Sequence, residues 1–281
     1  MRLIHSGKVK DVYEVDPDTF LFHFTDRVSA FDIPMITPIK GKGEILCKFA
    51  EFWFNTLTVE NHMISKQESD KMLVKRLDMI PVEFVVRGYL YGTLYERYLR
   101  GEFKNLESLG DDPVLASKLP FPVCDPSTKS NIHDSPISSA QILEQQLSNS
   151  DDLSNIQDIS LRLYKDMNGL AERAGFIIAD VKFEFGRDPK SGKILLADSI
   201  GPDEFRIWSK SEYHPGRIQI SYDKQYLRDW LANIGFKEKV DLLKKQGRQP
   251  IPPHLPEDVV QQLLERYTFV YQKIASKQKL T

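Results

Sequence analysis

The stretch ADVKFEFG, residues 179–186, sets Asp180, Lys182 and Glu184 in alternation with Ala179, Val181, Phe183 and Phe185. Side chains along a β-strand point to opposite faces in turn, so this pattern predicts a strand whose apolar set packs inward and whose three charges share the other face. A charged strand face is ordinarily a solvated one. The residues that follow point elsewhere: after a turn-rich segment from Gly186 to Gly192, a second apolar run, Ile194 to Leu196, leads to Asp198. A hairpin built from the two runs brings Asp198 near Glu184. Two facing acids repel, and a hard cation with oxygen ligands such as Mg²⁺ relieves that repulsion.

The rest of the chain bounds this idea. At 281 residues it is long for one core, and two domains in close contact are expected, with a division at 1–80 and 81–281. A net charge of −2 gives no general attraction to nucleic acid or membrane, so any cationic site must be local. The two cysteines, Cys47 and Cys124, lack CxxC or histidine-paired spacing, which argues for a reducing compartment and against zinc or a disulfide framework. No run of about 18 uncharged apolar residues occurs, so a soluble cytoplasmic protein is expected.

Working outward, Val12 to Val15 and Phe20 to Phe24 flank Asp16-Pro17-Asp18, a turn between two strands. Ile45, Phe49, Phe52, Trp53 and Leu57 recur at helical spacing and read as core. Further helices are expected from Tyr91 to Arg100, from Ser138 with Gln141 completing a capping box, from Ser154 to Ala174 before a Gly175 cap, and from Pro256 to Ser276. The last of these reads as packing, not chemistry, behind a linker from Pro250 to Pro256.

Several other stretches carry chemical groups. In GKVKDVY (7–13) a glycine and two lysines lead into a strand, which suits phosphate or is merely a basic turn. In EFVVRGYLYGT (83–93) an arginine beside glycines and a threonine hydroxyl suits a carboxylate or a phosphate, or a structural salt bridge. KSNIHD (129–134) is a polar loop whose histidine is a general base or simply a loop residue. DSIGPDEFRIW (198–208) and YDKQYLRDWL (222–231) complete the set.

Together, in this order and from Gly7 to Leu231, these segments resemble the SAICAR synthetase family of purine biosynthesis, with DRVSAFD (26–32) and KRLDMIPVEFVVRG (75–88) as further shared pieces. The resemblance implies an α+β, two-lobed fold, with an N-terminal, mainly antiparallel sheet lobe, a larger α+β lobe, and ATP in the cleft between them. It implies a ligase that joins a carboxylated aminoimidazole ribonucleotide (CAIR) to L-aspartate with ATP and Mg²⁺, and a possible homo-oligomer. By similarity Glu184 and Asp198 would ligate Mg²⁺, with Asp180 and Lys182 beside the reacting carboxylate. Lys8 and Lys10 would grip the ATP phosphates, and Met79 and Glu83 would meet adenine. Arg87, Thr93, Asp203 and Arg206 look like binders of the ribonucleotide. Lys129, His133 and Asp134 match the loop near substrate and aspartate, while Lys224 and Arg228 would add positive charge for the substrate anions. The proton acceptor for the aspartate amine would be His133 or Asp180. Departures from the family pattern occur at Ser199, Gly201 and Glu204-Phe205, where an acid, a threonine and two serines are commoner. The HRD and DFG elements of a protein kinase are absent.

Overall fold

The computed structural model describes residues 1–102, 113–129 and 135–278. Strands β1 (Arg2–Ser6), β2 (Lys10–Asp16) and β3 (Thr19–Phe24) form an antiparallel meander, turned at Asp16-Pro17-Asp18. The Asp16 carboxylate accepts from the Asp18 amide at 2.9 Å, the local bond that makes Asx residues turn formers. A two-residue ribbon, β4 (Ser29–Ala30) and β5 (Ile33–Pro34), precedes helix α1 (Lys42–Thr56). The α1 face carrying Ile45, Phe49, Phe52 and Trp53 is buried, as its spacing predicts. Strands β6 (Met63–Lys66) and β7 (Lys71–Lys75) complete a five-stranded sheet in the order β1-β2-β3-β7-β6.

A second, six-stranded sheet follows. It contains β8 (Asp78–Met79), β9 (Val82–Tyr89), β10 (Lys118–Thr128), β11 (Phe176–Arg187), β12 (Ile194–Ala197) and β13 (Phe205–Ser209). Between its strands run α2 (Thr93–Leu99), α3 (Ser139–Glu144) and α4 (Ser150–Arg173). After it come α5 (Gln225–Asn233), α6 (Phe236–Lys245) and α7 (Glu257–Gln278). The fold is two-lobed α+β, and one apolar core runs from α1 through β9 and β11 to α4 and α7.

Strand β11 is the hub. Its first half pairs antiparallel with β9 and with β13, and its second half pairs with β12 and β8. It is buried nearly throughout, so the face carrying Asp180, Lys182 and Glu184 is not the solvated one that charges on a strand ordinarily indicate. The hairpin to β12 forms with Glu184 opposite Ala197, and Asp198 follows directly. Gly186, expected in the turn, lies inside the strand. A side chain there would come within 2.8 Å of Leu77, where β8 crosses β11. The turn itself is closed from Asp188 to Gly192, the latter in the left-handed region at φ 71°.

Other boundaries also move. Helix α2 starts at Thr93, because Gly92 takes φ 56° and breaks the preceding backbone. Helix α4 starts four residues before the expected Ser154, where the Asn149 side chain accepts from the Asp152 amide at 2.8 Å. The Ser138–Gln141 capping box is present, and Gly175 follows α4 in the left-handed conformation at φ 87°.

Candidate active site

The exposed-looking charges of β11 meet partners drawn from the whole chain. Lys10, at the start of β2, bonds the Asp198 carboxylate and donates to Ser199 Oγ at 2.9 Å. Its ammonium also lies 4.7 Å from the centre of the Phe22 ring. Lys182 Nζ donates to Glu184 Oε1 and to Glu83 Oε1, both at 2.8 Å, and Lys129 bonds the other Glu184 oxygen. Three lysines therefore interleave with three carboxylates, so in this structure lysine ammonium groups relieve the repulsion between Glu184 and Asp198. Burial alone would raise the Asp198 pKa, but Lys10, Lys182 and Lys129 hold it well below the usual carboxylate range. Burial likewise opposes the charge on Lys182, and Glu184 and Glu83 outweigh it, keeping the amine protonated.

One register step away on the same strand face is an arginine cluster. Asp180 lies opposite Arg87 on β9 and Arg206 on β13. Arg206 Nη1 donates to Asp180 Oδ2 at 2.5 Å, and Arg87 Nη1 lies 3.6 Å from the same oxygen. Arg87 Nε donates to Asp125 Oδ2 at 2.7 Å and its Nη2 to Thr93 Oγ1 at 3.2 Å. Arg97 shares Asp125 at 2.7 Å. Gly92 is required here, because a Cβ at that position would lie 2.8 Å from Arg206 Nη2. Gly88, by contrast, makes no bend for a ligand: a Cβ there would fall 1.8 Å from Tyr164 Oη, so the glycine seats α4 on the sheet.

A third group is enclosed. Asp203 accepts from Lys42 Nζ at 2.8 Å, from Tyr267 Oη at 2.7 Å and from Lys224 Nζ at 3.4 Å. The side chains of Asp203 and Lys42 are 2% and 1% exposed, so this carboxylate is fully committed within the protein. Burial lowers the Lys224 pKa despite Asp203, with Arg228 and Lys42 adding to the effect. Arg228, one helical turn on, is also pushed down by burial and by Arg206. Glu204 faces this region, its pKa raised to about 8 by burial and by Asp203.

Lys8 is half exposed and pairs with Asp32 at 3.0 Å, apart from Lys10. Met79 is 43% exposed on β8, at the junction of the sheets. His133 and Asp134 lie outside the described residues. The sequence reading missed Lys42, Tyr267 and His62, and marked Glu204 only as a departure from the family pattern. No local motif marks Lys42 or His62, and Tyr267 sits in an apolar helix stripe that reads as packing alone.

A family model described as SAICAR synthetase matches residues 3–243. The chain belongs to the SAICAR synthetase family. A phosphoribosylaminoimidazole-succinocarboxamide synthase of Nitrosopumilus maritimus is 46% identical over 277 residues, covering 99% of each chain. Among solved structures, a SAICAR synthase from Saccharomyces cerevisiae, complexed with SAICAR, is 33% identical with a TM-score of 0.84, covering 98% of this chain and 94% of that one. A type-2 SAICAR synthetase in complex with ADP is 26% identical with a TM-score of 0.73, covering 97% of each. The family match extends into α6, beyond the last diagnostic segment at Leu231.

Proposed function

We propose that this chain is an ATP-dependent ligase that condenses CAIR with L-aspartate to give SAICAR, ADP and phosphate through an acyl phosphate, in purine biosynthesis. The observation that carries the reading is the face of β11, where a lysine–carboxylate cluster suited to phosphoryl transfer adjoins an arginine cluster suited to an anionic substrate. A carboxylate is a poor acyl donor. Phosphorylation by ATP converts one of its oxygens into part of a leaving group, which the aspartate amine then displaces as inorganic phosphate.

Lys10 and the more exposed Lys8 bind the triphosphate oxygens, and Met79 and Glu83 line the adenine side, between lobes that divide near residue 80. Arg87, Thr93 and Arg206 hold the ribonucleotide. Asp203 and Lys224 shape its surroundings from within, and Arg228 adds charge. On the family resemblance, Lys129, His133 and Asp134 serve the aspartate substrate, whose ammonium loses its proton to His133 or Asp180.

Glu184 and Asp198 fit Mg²⁺. Both offer carboxylate oxygens, and the surrounding lysines hold the Asp198 pKa well below the usual carboxylate range. An ion held by two carboxylates would complete its shell with waters and phosphate oxygens. Such an ion supplies charge neutralisation at the transferring phosphoryl group. Lys182 and Lys129 hold Glu184 in place by charge-assisted bonds.

Cys47 and Cys124 are free thiols whose pKa values burial pushes up to about 12, which leaves them little thiolate character, and we assign the chain to the cytoplasm on the metabolic role of its family. Among the described residues no helix is long and apolar enough to cross a membrane. We extend the proposal to a homo-oligomer on the family resemblance.

The test is ADP release that requires both CAIR and aspartate, with CAIR carrying ¹⁸O in its carboxylate. Labelled inorganic phosphate is expected; unlabelled phosphate overturns the acyl-phosphate route, and sustained multiple-turnover ADP release without aspartate overturns the ligase reading.

A further inference from the structure

His62 stands at the contact between the two sheets and takes no part in the reaction described above. Its amide donates to the Leu196 carbonyl at 3.0 Å, while the Leu196 amide donates to Glu60 O at 3.0 Å, so residues 60–62 run as a short parallel pairing beside the end of β12. The side chain turns inward and is 2% exposed. Phe22 and Phe54 present their rings edge-to-face to it, each with centroids 5.4 Å away. Its Nε2 lies 3.1 Å from the main-chain carbonyl of Asp198. A carbonyl can only accept, so the tautomer is fixed: Nε2 carries the proton and donates.

Asp198 needs such a partner. It is a non-glycine residue at φ 60°, in the left-handed region, immediately after a regular strand. That conformation is sparsely populated and persists only where the surroundings hold it. Two contacts hold Asp198 from opposite ends: Lys10 bonds the carboxylate, and His62 bonds the carbonyl. Phe22 touches both, since its ring receives the Lys10 ammonium and the His62 edge.

We propose that His62 is a positioning residue for the metal and nucleotide site, its Nε2–H holding the Asp198 backbone in the left-handed turn that presents the carboxylate to Lys10 and the ion. The inference rests on the reading of Asp198 as a metal ligand. His62 touches neither substrate nor metal; it acts through Asp198 alone.

The test compares His62→Gln with His62→Met in the full chain. The two replacements have similar length and volume, and only glutamine retains an N–H that can reach the carbonyl. The readouts are Mn²⁺ binding in the presence of ADP, followed by electron paramagnetic resonance of the free ion, and the CAIR KM. Partners that orient a metal ligand are worth about 10–100-fold in metal affinity. The expected result is a loss of that size for His62→Met, a change within about threefold for His62→Gln, and an unchanged CAIR KM in both. Wild-type affinity in His62→Met, or equal loss in both variants, overturns the proposal. If His62→Met does not fold, His62→Gln decides alone: retained affinity supports the N–H role and lost affinity overturns it. Asp198→Asn separates the two levels. If it leaves Mn²⁺ affinity unchanged, the metal reading itself fails; if it abolishes binding while His62→Met does not, only the positioning role fails.

Discussion

Arg206 owes its place to a neighbour with no side chain, to a carboxylate opposite it in register, and to the Tyr91 ring 5.9 Å away. A lysine cannot reproduce a planar guanidinium that bonds Asp180 through Nη1 while facing the Tyr91 ring. Arg206→Lys should therefore raise the CAIR KM roughly tenfold to a hundredfold, the loss of one to two charged hydrogen bonds, with a smaller effect on the ATP KM. An unchanged CAIR KM in steady-state kinetics would remove Arg206 from the substrate site. Glu184 is held by two lysines and is 3% exposed, so Glu184→Gln keeps the shape and removes the charge. Turnover should fall at least about a hundredfold with the melting temperature little changed. Near-normal activity at low Mg²⁺ would show that the carboxylate is not a metal ligand. At this scale the sequence was informative where chemistry sits in a strand pattern: the face of Asp180, Lys182 and Glu184 is legible from period two alone. It was silent where a residue matters through a contact more than a hundred positions away, as with His62 and Asp198 or Lys42 and Asp203.

Elements carry a different kind of information. Helices with an amphipathic stripe, such as α1 and α7, or with a side-chain cap, such as α3, were readable, because burial and capping are local properties of the chain. Strand β10 was not. It contains Pro120, Pro122 and Pro126, residues that weaken any strand reading, and they are tolerated because β10 lies at the edge of the six-stranded sheet, beside β9. Helix α7 was legible as a packing element, with Leu263, Val270 and Ile274 each at most 1% exposed, but its Tyr267 also reaches Asp203. Tyr267→Phe should cost about 1–2 kcal/mol in denaturant unfolding, since it leaves a buried carboxylate oxygen short of one donor. The contact of α4 with β9 makes a sharper test. Gly88→Ala forces a methyl into Tyr164 Oη, whose hydroxyl donates to Ile178 O at 2.8 Å, and should destabilise by about 1–3 kcal/mol or more. Tyr164→Phe should recover part of that loss in the double variant, because the nearest clashing atom is then gone. Strict additivity of the two changes in a double-mutant cycle would refute this account of the glycine.

Over the whole molecule, buried charge sets how stability responds to pH. Glu204 titrates from an ordinary 4.5 up to about 8, because burial and Asp203 disfavour its ionised form. A carboxyl whose folded pKa is raised binds its proton more tightly in the folded state. Its contribution is therefore complete below about 4.5 and is lost as pH rises through about 8, a change on the order of a few kcal/mol. Glu204→Gln, which imitates the protonated form at every pH, should flatten this slope in guanidinium unfolding measured from pH 5 to pH 9 without nucleotide. An identical slope in the variant would assign the effect to another group. The second consequence concerns time rather than energy. Lys10 and Asp198 are separated by 188 positions, Lys42 and Asp203 by 161, and His62 and Asp198 by 136. During synthesis the N-terminal sheet and α1 must leave the ribosome with Lys10 and Lys42 lacking their carboxylate partners, and they wait through most of translation for them. Closing such long loops is slow, so the site is among the last features to assemble. Regain of catalysis after dilution from denaturant should then trail the regain of helix signal, making activity a report on completion of the entire chain.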